Sequence, residues 1–563
     1  ETNTVSDGLG GQNSQREVIC EGGTSNQCGD PDAFDWRDAV MYFAMVDRFY
    51  DGDGMRTIVD GATDGDAANG PSGQFHGGDL PGVTEKLAYL QELGVTALWL
   101  SAPYKNRDYR GASMNPCVNG NQEGCDPNFY SAYHGYWPSP DNVDYSDPET
   151  PNPIPMVEPR LGTTQDLHTL VDTAHDRGMK ILFDYVMNHI DVASPLYEAN
   201  PDWFATRDNG SFFRCGDVAD GQQGWNHPYW GTRCVFTDYL PAFDFDNSQA
   251  RAWSVADALW WAKTFNIDGY RLDAIKHVSQ TWLTDLRAAL TESFPEPDGG
   301  RFYLVGETFD YFDKALLKAF VDVDTKLDGQ FDFPLKKRLC EGVFRGDMPT
   351  LQRFMDEENR GYYGERALMT TWIGNHDIPR AIHYATGEIE NCTEGSNQWN
   401  GWNWRPAQPT ESWAYERLGL AFGVMFTTEG IPLIYYGDEI GLAGGGDPDN
   451  RRLMPWNAAE LQPAQRDLRD HLAKLAQVRF EHKSLSRGTR QTLRVDQDSW
   501  VFKTSCQDER FEDLTVVINR GDNPMNNVAV PSATYVDLLT DQRFDGVVSV
   551  APRSMLILRR IQE

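Results

Sequence analysis

Short apolar segments alternate along the chain with longer segments in which apolar residues recur at helical spacing. Helical spacing is clear in Leu80–Leu93, Thr164–Arg177 and Ala250–Phe265, where apolar residues return every three or four positions. The short segments are nearly continuous apolar runs, which is typical of parallel strands buried on both faces. Eight of them are predicted to be strands: Val40–Val46, Val95–Ser101, Lys180–Val186, Ile267–Asp273, Phe302–Glu307, Gly329–Pro334, Leu368–Gly374 and Ile431–Gly437.

Strand–helix alternation repeated eight times predicts an α/β fold, a (β/α)8 TIM barrel. The connection after the third strand is too long for an ordinary loop, so residues 190–247 are predicted to form a small inserted domain. Short β-rich segments separated by turn residues predict a C-terminal antiparallel β-sandwich over residues 481–563. Residues 34–189 and 248–480 would then form the barrel, and the polar, Gly-containing residues 1–33 a flexible leader.

The composition limits the partners that the chain can have. A net charge of −34 argues against nucleic acid and anionic membrane, because both bind basic surfaces. A neutral sugar is indifferent to the sign of the charge. No apolar stretch is long enough to cross a membrane. The 17 Trp, 23 Tyr and 28 Phe residues indicate a folded chain with a large core.

The nine cysteines fall mostly in near pairs that enclose short polar loops. They lack the CxxC spacing of zinc sites, which favours disulfides. Disulfides persist in oxidising compartments, so we expect a secreted, extracellular protein, with the periplasm as an alternative. The expected pairs are Cys20–Cys28, Cys117–Cys125, Cys215–Cys234 and Cys340–Cys392, which leaves Cys506 unpaired.

Charged and polar side chains follow four of the predicted strands. In TIM barrels the C-terminal ends of the strands form one rim, where active sites lie. Glycoside hydrolysis needs one ionised and one protonated carboxyl group, and a cation two residues from a carboxylate on one strand face would keep it ionised. The residues are Asp184, Asn188 and His189 at the end of the third strand, Arg271 and Asp273 at the end of the fourth, Glu307 at the end of the fifth, and His376 and Asp377 after the seventh.

These blocks, in their order and spacing, resemble the conserved regions of the α-amylase family of glycoside hydrolases. The likeness extends from about Phe34 to the C-terminus. It implies that Asp273 is the catalytic nucleophile, Glu307 the general acid/base, and Asp377 the third carboxylate, which stabilises the distorted sugar. It also implies retention of anomeric configuration, for which nucleophile and acid lie about 5 Å apart.

The same resemblance implies residues that bind the sugar. Tyr133–Trp137 is similar to the family's sugar-stacking segment, the pair Lys276-His277 to the residues on the leaving-group side, and Asp447–Arg451 to a loop on the non-reducing side. The run Trp399–Trp404 fits either an additional sugar platform or a packed loop. The implied substrate-binding residues are His134, Tyr136, Trp137, His189, Arg271, Lys276, His277, His376, Asp447 and Arg451.

A calcium site is implied near the N-terminus. Asp51, Asp53, Gly77 and Asp79 resemble a site found in several family members, and their carboxylate and carbonyl oxygens suit Ca²⁺. Calcium is expected there as a structural ion.

A second calcium site of the family uses an Asn that matches Asn188 and a carbonyl that matches that of His277. Its usual aspartate is replaced by Ala242. Either Asp217 or Asp238 supplies the missing carboxylate, or the site is lost.

We therefore expect an endo-acting α-amylase that cleaves α-1,4-glucosidic bonds of starch and maltooligosaccharides and acts as a monomer. A transglycosylase, or an enzyme similar to neopullulanase or cyclomaltodextrinase, is the alternative on the same scaffold, since Ala242 and the segment Asp449–Arg452 also fit those enzymes. A non-catalytic sugar-binding relative is a remote alternative, because Asp273, Glu307 and Asp377 are all present.

Overall fold

Eight parallel strands form the centre of the protein. The computed structural model describes residues 28–117, 124–295, 300–395 and 398–561. The expected leader lies outside the described residues except for its last part, from Cys28. The strands are β1 Met41–Ala44, β2 Ala97–Leu100, β3 Lys180–Tyr185, β4 Gly269–Leu272, β5 Tyr303–Gly306, β6 Gly329–Gln330, β7 Thr370–Thr371 and β8 Ile431–Tyr435.

Each strand lies beside its neighbour in the chain, and β8 returns to pair with β1. A parallel bridge between Phe331 and Thr370 joins β6 to β7 and closes the barrel. All residues of β1, β2, β4, β5 and β8 are buried, because helices cover the outside of the sheet and side chains fill its interior. The predicted TIM barrel is confirmed.

Two strands are much shorter than the sequence pattern predicted. The segments Gly329–Pro334 and Leu368–Gly374 were expected to be strands, but β6 and β7 contain two residues each. After β6, the Asp332 side chain accepts a hydrogen bond from the Leu335 backbone N–H, and Pro334 occupies the first turn of a helix. This N-terminal cap starts the helix where the apolar pattern alone continues the strand.

Eight principal helices cover the barrel and its loops. Several begin at a polar cap; for example, the side chains of Thr163 and Asp166 form a reciprocal capping box. The principal helices are α1 Leu80–Glu92, α2 Thr164–Asp176, α3 Ser248–Phe265, α4 Gln280–Ser293, α5 Phe333–Leu339, α6 Ala381–Thr386, α7 Ser412–Phe426 and α8 Pro463–Glu481. Other helices are Val46–Phe49, Pro195–Ala199, Lys314–Lys318, Met348–Arg353, Gln398–Asn403 and Ser484–Arg487. Within the described ranges no helix is long and apolar enough to span a bilayer.

The long connection between β3 and α3 contains little regular structure. It holds one small hairpin, Val218–Ala219 with Gln222–Gln223, and a cluster in which the Phe213 ring stacks on Trp230 at 4.4 Å. A β-bridge between His189 and Ala242 brings the two ends of the connection together at the barrel rim. The connection therefore lies next to the C-terminal ends of the strands.

The strands of the C-terminal part are β9 Thr489–Asp496, β10 Ser499–Ser505, β11 Leu514–Asn519, β12 Met525–Asp537, β13 Arg543–Val550 and β14 Ser554–Arg560. They form one antiparallel sheet in the order β9-β10-β11-β14-β12-β13. Trp500 and Phe502 pack against the barrel core. On the opposite face, Val501 and Val517 pack with Val548 of β13. The two layers expected of a sandwich are thus formed by a single sheet that folds back on itself.

The disulfides differ from expectation at one position. The structure pairs Cys117 with Cys125, Cys215 with Cys234, and Cys340 with Cys392. The expected Cys20–Cys28 pair is wrong, because Cys28 is bonded to Cys506; Cys20 lies outside the described residues. This bond ties the start of the described chain to the end of β10.

Candidate active site

A buried guanidinium lies at the centre of the barrel rim. Arg271 on β4 donates from Nη1 to Asp184 Oδ1 at 2.9 Å and to Asp273 Oδ1 at 2.7 Å. Its Nη2 donates to Glu307 Oε2. The register of the parallel sheet explains the grouping, because Arg271 lies opposite Asp184 on β3 and Val305 on β5. One cation is thus shared by three carboxyl groups.

Two of these carboxyl groups have unlike environments. Burial raises the pKa of Glu307 to about 8; Arg271 opposes this shift, and the neighbouring Asp377 and Asp273 add to it. Glu307 therefore carries a proton at neutral pH. Asp273 accepts a hydrogen bond from the same Arg271 guanidinium at 2.7 Å. A protonated carboxyl group and a second carboxyl group, both held by one guanidinium, match the pair that glycoside hydrolysis requires.

The third carboxylate follows β7. Asp377 has a side chain that is 31% exposed, so a ligand can reach it. Arg451 Nη2 lies 3.2 Å from Asp377 Oδ1, and Arg451 Nη1 lies 3.0 Å from Asp447 Oδ1. The same arginine donates from Nε to the backbone oxygen of His376 at 3.1 Å. Asp447 and Arg451 are therefore part of the same rim as the triad.

An aromatic wall adjoins the carboxylates. The Tyr136 ring stacks on His376 with centroids 5.1 Å apart, and its hydroxyl donates to Asp184 Oδ2 at 2.8 Å. His134 stacks on Tyr136 at 5.5 Å. Burial lowers the pKa of both histidines, which are therefore neutral. Trp137 is buried behind the wall, edge-on to His134 at 4.9 Å, and supports it.

Lys276 and His277, which were expected on the leaving-group side, lie near His189. His189 Nε2 is 3.0 Å from the backbone oxygen of Tyr136, and His277 Nδ1 is 2.7 Å from that of Gly231 in the long connection. Burial lowers the pKa of His277 to about 4 and also lowers the pKa of Lys276. Each of these side chains therefore lies at the junction between the barrel and the long connection.

Several supporting residues were not predicted from the sequence. Arg271 lies over the Trp99 ring at 5.1 Å, and Trp99 stacks on Phe43 at 3.7 Å, so two inward-facing strand aromatics form the floor of the site. Asn450 Nδ2 donates to the backbone oxygens of His376 and Ile378 and fixes the segment that carries Asp377. Both strands are continuous apolar runs, so no alternation of polar and apolar residues marked the two aromatics in the sequence.

The predicted N-terminal calcium residues form a compact group. Carboxylate oxygens of Asp51, Asp53 and Asp79 lie within 4.8 Å of one another. A Cβ added at Gly77 would lie 3.2 Å from Asp51 Oδ2 and 2.9 Å from the oxygen of Met55, so a side chain would fill the space beside the carboxylates. The ion pairs between described residues do not include these three aspartates. Hard oxygen donors with uncompensated charge fit a calcium ion.

The residues of the second predicted calcium site make other contacts. Asn188 Nδ2 contacts His189 Nδ1 at 3.2 Å, and Ala242 offers no carboxylate. Asp217 pairs with Arg207, and Asp238 pairs with Arg214, so an arginine already partners each carboxylate that the sequence offered. Cys215 and Cys234 lie near His277 but are bonded to each other.

Comparisons with known proteins identify the family. The family model for the catalytic domain of alpha amylase matches residues 43–469. A beta/alpha-amylase of Paenibacillus polymyxa is 26% identical over 544 residues, which are 93% of this chain and 38% of that protein. A cyclomaltodextrin glucanotransferase of Bacillus sp. (strain 1-1) is 26% identical over 539 residues, 90% of this chain and 64% of that protein. The chain thus spans less than two thirds of either relative.

Among solved structures, an alpha-amylase from Geobacillus thermoleovorans complexed with acarbose superposes with a TM-score of 0.70 at 27% identity, covering 94% of this chain and 100% of that one. The matched family model covers the barrel rim on which Arg271, Asp273, Glu307 and Asp377 lie. From these findings, the chain belongs to the α-amylase family of glycoside hydrolases.

Proposed function

We propose that this protein is a retaining, endo-acting hydrolase of α-1,4-glucosidic bonds in starch and maltooligosaccharides. The observation that carries the proposal is the sharing of the Arg271 guanidinium by Asp273 and Glu307, together with the raised pKa of Glu307. Both groups are only slightly exposed, with side-chain accessibilities of 13% and 9%. A substrate that enters the rim would meet the nucleophile and the acid together.

In the proposed reaction, Asp273 is the nucleophile and the protonated Glu307 is the acid. Asp273 attacks the anomeric carbon while Glu307 gives its proton to the glycosidic oxygen, so that the C–O bond breaks and a covalent glucosyl ester forms. Glu307, now ionised, then takes a proton from water, and the resulting attack on the ester releases a sugar with its original configuration. Asp377 would bind hydroxyls of the distorted ring, and the Tyr136–His376 wall would support its apolar face.

A glucan substrate is supported by the family and by the solved relative bound to acarbose. The strongly acidic chain suits a neutral ligand, and the four disulfides suit a secreted protein. We also propose that Asp51, Asp53, Gly77 and Asp79 hold a structural Ca²⁺. The ion would stabilise the start of α1, because Asp79 caps that helix through the Gly82 N–H at 2.6 Å.

A transglycosylase is the second candidate, and the similarity to a cyclomaltodextrin glucanotransferase over 90% of the chain favours it. It would use the same covalent ester, with a sugar hydroxyl in place of water. Neopullulanase-like action on pullulan or cyclodextrins would also use the same carboxyl groups. These enzymes differ from an amylase in the acceptor or in the bond that they admit.

A time course on soluble starch and on maltoheptaose, with products separated by size, tests the proposal. Rapid loss of iodine staining with short linear products is expected from an endo-acting amylase. Products longer than maltoheptaose, or cyclic products, would identify a transglycosylase instead. Activity confined to pullulan or cyclodextrins would identify the neopullulanase-like alternative, and no turnover of any α-glucan would refute the proposed function.

A further inference from the structure

A cavity lies near the candidate active site and is lined by Trp404 and by several residues of the segment 388–395. Its volume is about 360 Å³, within the range of roughly 300–1,000 Å³ found for small-molecule sites. Its lining includes Pro379, Glu390, Asn391, Glu394, Trp404 and Gly446. None of the described lining residues is a lysine or arginine, so the cavity has no group to pair with an anionic ligand.

The sequence allowed two interpretations of the tryptophan-rich segment Trp399–Trp404, a sugar platform or a packed loop, and its residues Trp402 and Trp404 have different surroundings. Trp402 donates from its indole nitrogen to the Tyr130 hydroxyl at 2.8 Å and so packs as a structural residue. Trp404 is half-buried and lines the cavity. Its ring packs beside Gly445, where an added Cβ would lie 3.1 Å from Cε3. Within the described ranges nothing accepts a hydrogen bond from its indole N–H. Trp404 therefore offers a flat apolar surface and a hydrogen-bond donor.

The segment Glu390–Glu394, which forms one wall of the cavity, offers oxygen acceptors. Glu390 and Asn391 are exposed and Glu394 is half-buried; the Asn391 amide lies 3.4 Å from Glu394 Oε2. The ion pairs among described residues do not involve Glu390. A cavity lined by an aromatic ring and by amide and carboxylate oxygens matches a sugar ring, which has apolar C–H faces and hydroxyl groups at its edge.

The wall is fixed in place by bonds to the rest of the barrel. Cys392 is bonded to Cys340, and its backbone oxygen accepts a hydrogen bond from buried Lys336 Nζ at 2.9 Å. Arg345 Nε donates to the oxygen of Glu390 at 3.1 Å, and the Tyr384 hydroxyl donates to that of Glu394 at 3.1 Å. A wall held in this way loses little conformational freedom when a ligand binds.

Two lining residues of the cavity lie close in the chain to residues of the rim. Pro379 lies two residues beyond Asp377, and Gly446 directly precedes Asp447, which contacts Arg451. We propose that the cavity is a distal glucosyl-binding subsite, with Trp404 as its platform, that binds α-glucan chains too long to end at Asp447. The inference rests on the proposed function, because it takes the ligand to be an α-glucan.

The test compares kcat/KM for maltotriose, maltoheptaose and amylose in the full chain. Trp404→Ala should lower the ratio of long-chain to short-chain kcat/KM about five- to tenfold, as loss of one apolar stacking contact predicts. Asn391→Ala and Glu390→Ala, at exposed positions that do not endanger folding, should lower it about two- to threefold. Trp413→Ala is the matched control: Trp413 is also half-buried on the same core, and its loss should leave the ratio unchanged.

Three outcomes would decide against the subsite. A ratio in Trp404→Ala equal to that of Trp413→Ala would overturn it while leaving the proposed function intact. An equal loss on maltotriose and amylose would assign Trp404 a structural role and overturn it as well. A wild-type protein that cleaves no α-glucan would overturn both the proposed function and the subsite, and so differs from the first two results.

Discussion

Removal of the Arg271 guanidinium tests the electrostatic arrangement most directly. Arg271 is fully buried and donates hydrogen bonds to Asp184, Asp273 and Glu307. Replacement by methionine in Arg271→Met keeps an apolar stem and removes the charge. Three carboxyl groups would then lie close together without a cation, and burial penalises each of them when it is ionised.

The size of the effect depends on pH. Loss of one partner of a buried ion pair costs about 3–5 kcal/mol, and the variant can lower this cost by binding an extra proton on one carboxyl group. That proton costs about 1.36 kcal/mol for each pH unit above the pKa of an unfolded carboxyl, which is near 4. Because the folded-state pKa is then above the unfolded one, stability is lost as the pH rises. The destabilisation should be about 3–4 kcal/mol larger at pH 8 than at pH 5.

The assay is urea unfolding at pH 5 and pH 8, followed by tryptophan fluorescence. Arg287→Met is the matched control: Arg287 is also buried and pairs with Asp328, but Asp328 keeps Arg301 Nε at 2.7 Å. Its destabilisation should vary little with pH, because Asp328 retains a cation. If Arg271→Met lost the same free energy of unfolding at both pH values, the argument that its carboxyl groups protonate would be refuted.

Three further predictions concern catalysis and the metal. Asp273→Asn should lower kcat by several orders of magnitude while maltooligosaccharide binding stays measurable by calorimetry; near-normal turnover would remove its assignment as nucleophile. The kcat/KM of the wild type should fall as the pH rises through about 8, because Glu307, whose pKa burial raises to about 8, must hold a proton to act as the acid; a profile that is flat to pH 10 would contradict this. Excess EDTA should lower the Tm of the wild type, and Ca²⁺ should restore it, because an ion bound only by the folded state stabilises that state. Asp51→Asn should start with a lower Tm that EDTA changes little, and a wild-type Tm indifferent to EDTA would leave the aspartate group without an ion.

The barrel was predictable because its strands are short apolar runs, and a segment with helical spacing follows them in the chain. The grouping of Asp184, Arg271, Asp273 and Glu307 followed from the same logic, since parallel strands end at one rim and their register places neighbouring residues side by side. The roles of these residues came from the family resemblance. Trp99 and Phe43 were missed because an apolar run does not show which of its aromatics will lie beneath a polar site.

Strand length and disulfide pairing were less predictable. The apolar run Gly329–Pro334 continues past the end of β6, and only the Asp332 cap ends the strand. Sequence proximity suggested Cys20 as the partner of Cys28, but a disulfide requires only that two Cβ atoms meet in space. Cys506 lies 478 residues from Cys28, and no local pattern reports that contact. The first error arose where a local cap interrupts an apolar run, and the second where a tertiary contact overrides sequence proximity.

The two candidate sugar sites differ in the same respect. Asp273 and Glu307 lie directly after β4 and β5, where sheet register fixes their separation. The cavity beside Trp404 is instead lined by residues that follow β7 and β8, and this lining is held by the Cys340–Cys392 bond and by Lys336, which donates to the oxygen of Cys392. Trp402 and Trp404 are two residues apart and equally apolar, yet Tyr130 engages the first and the cavity exposes the second. Sheet register therefore groups the rim residues in a way that a strand pattern can predict, while the surroundings of Trp404 follow from contacts that only this chain's own fold reveals.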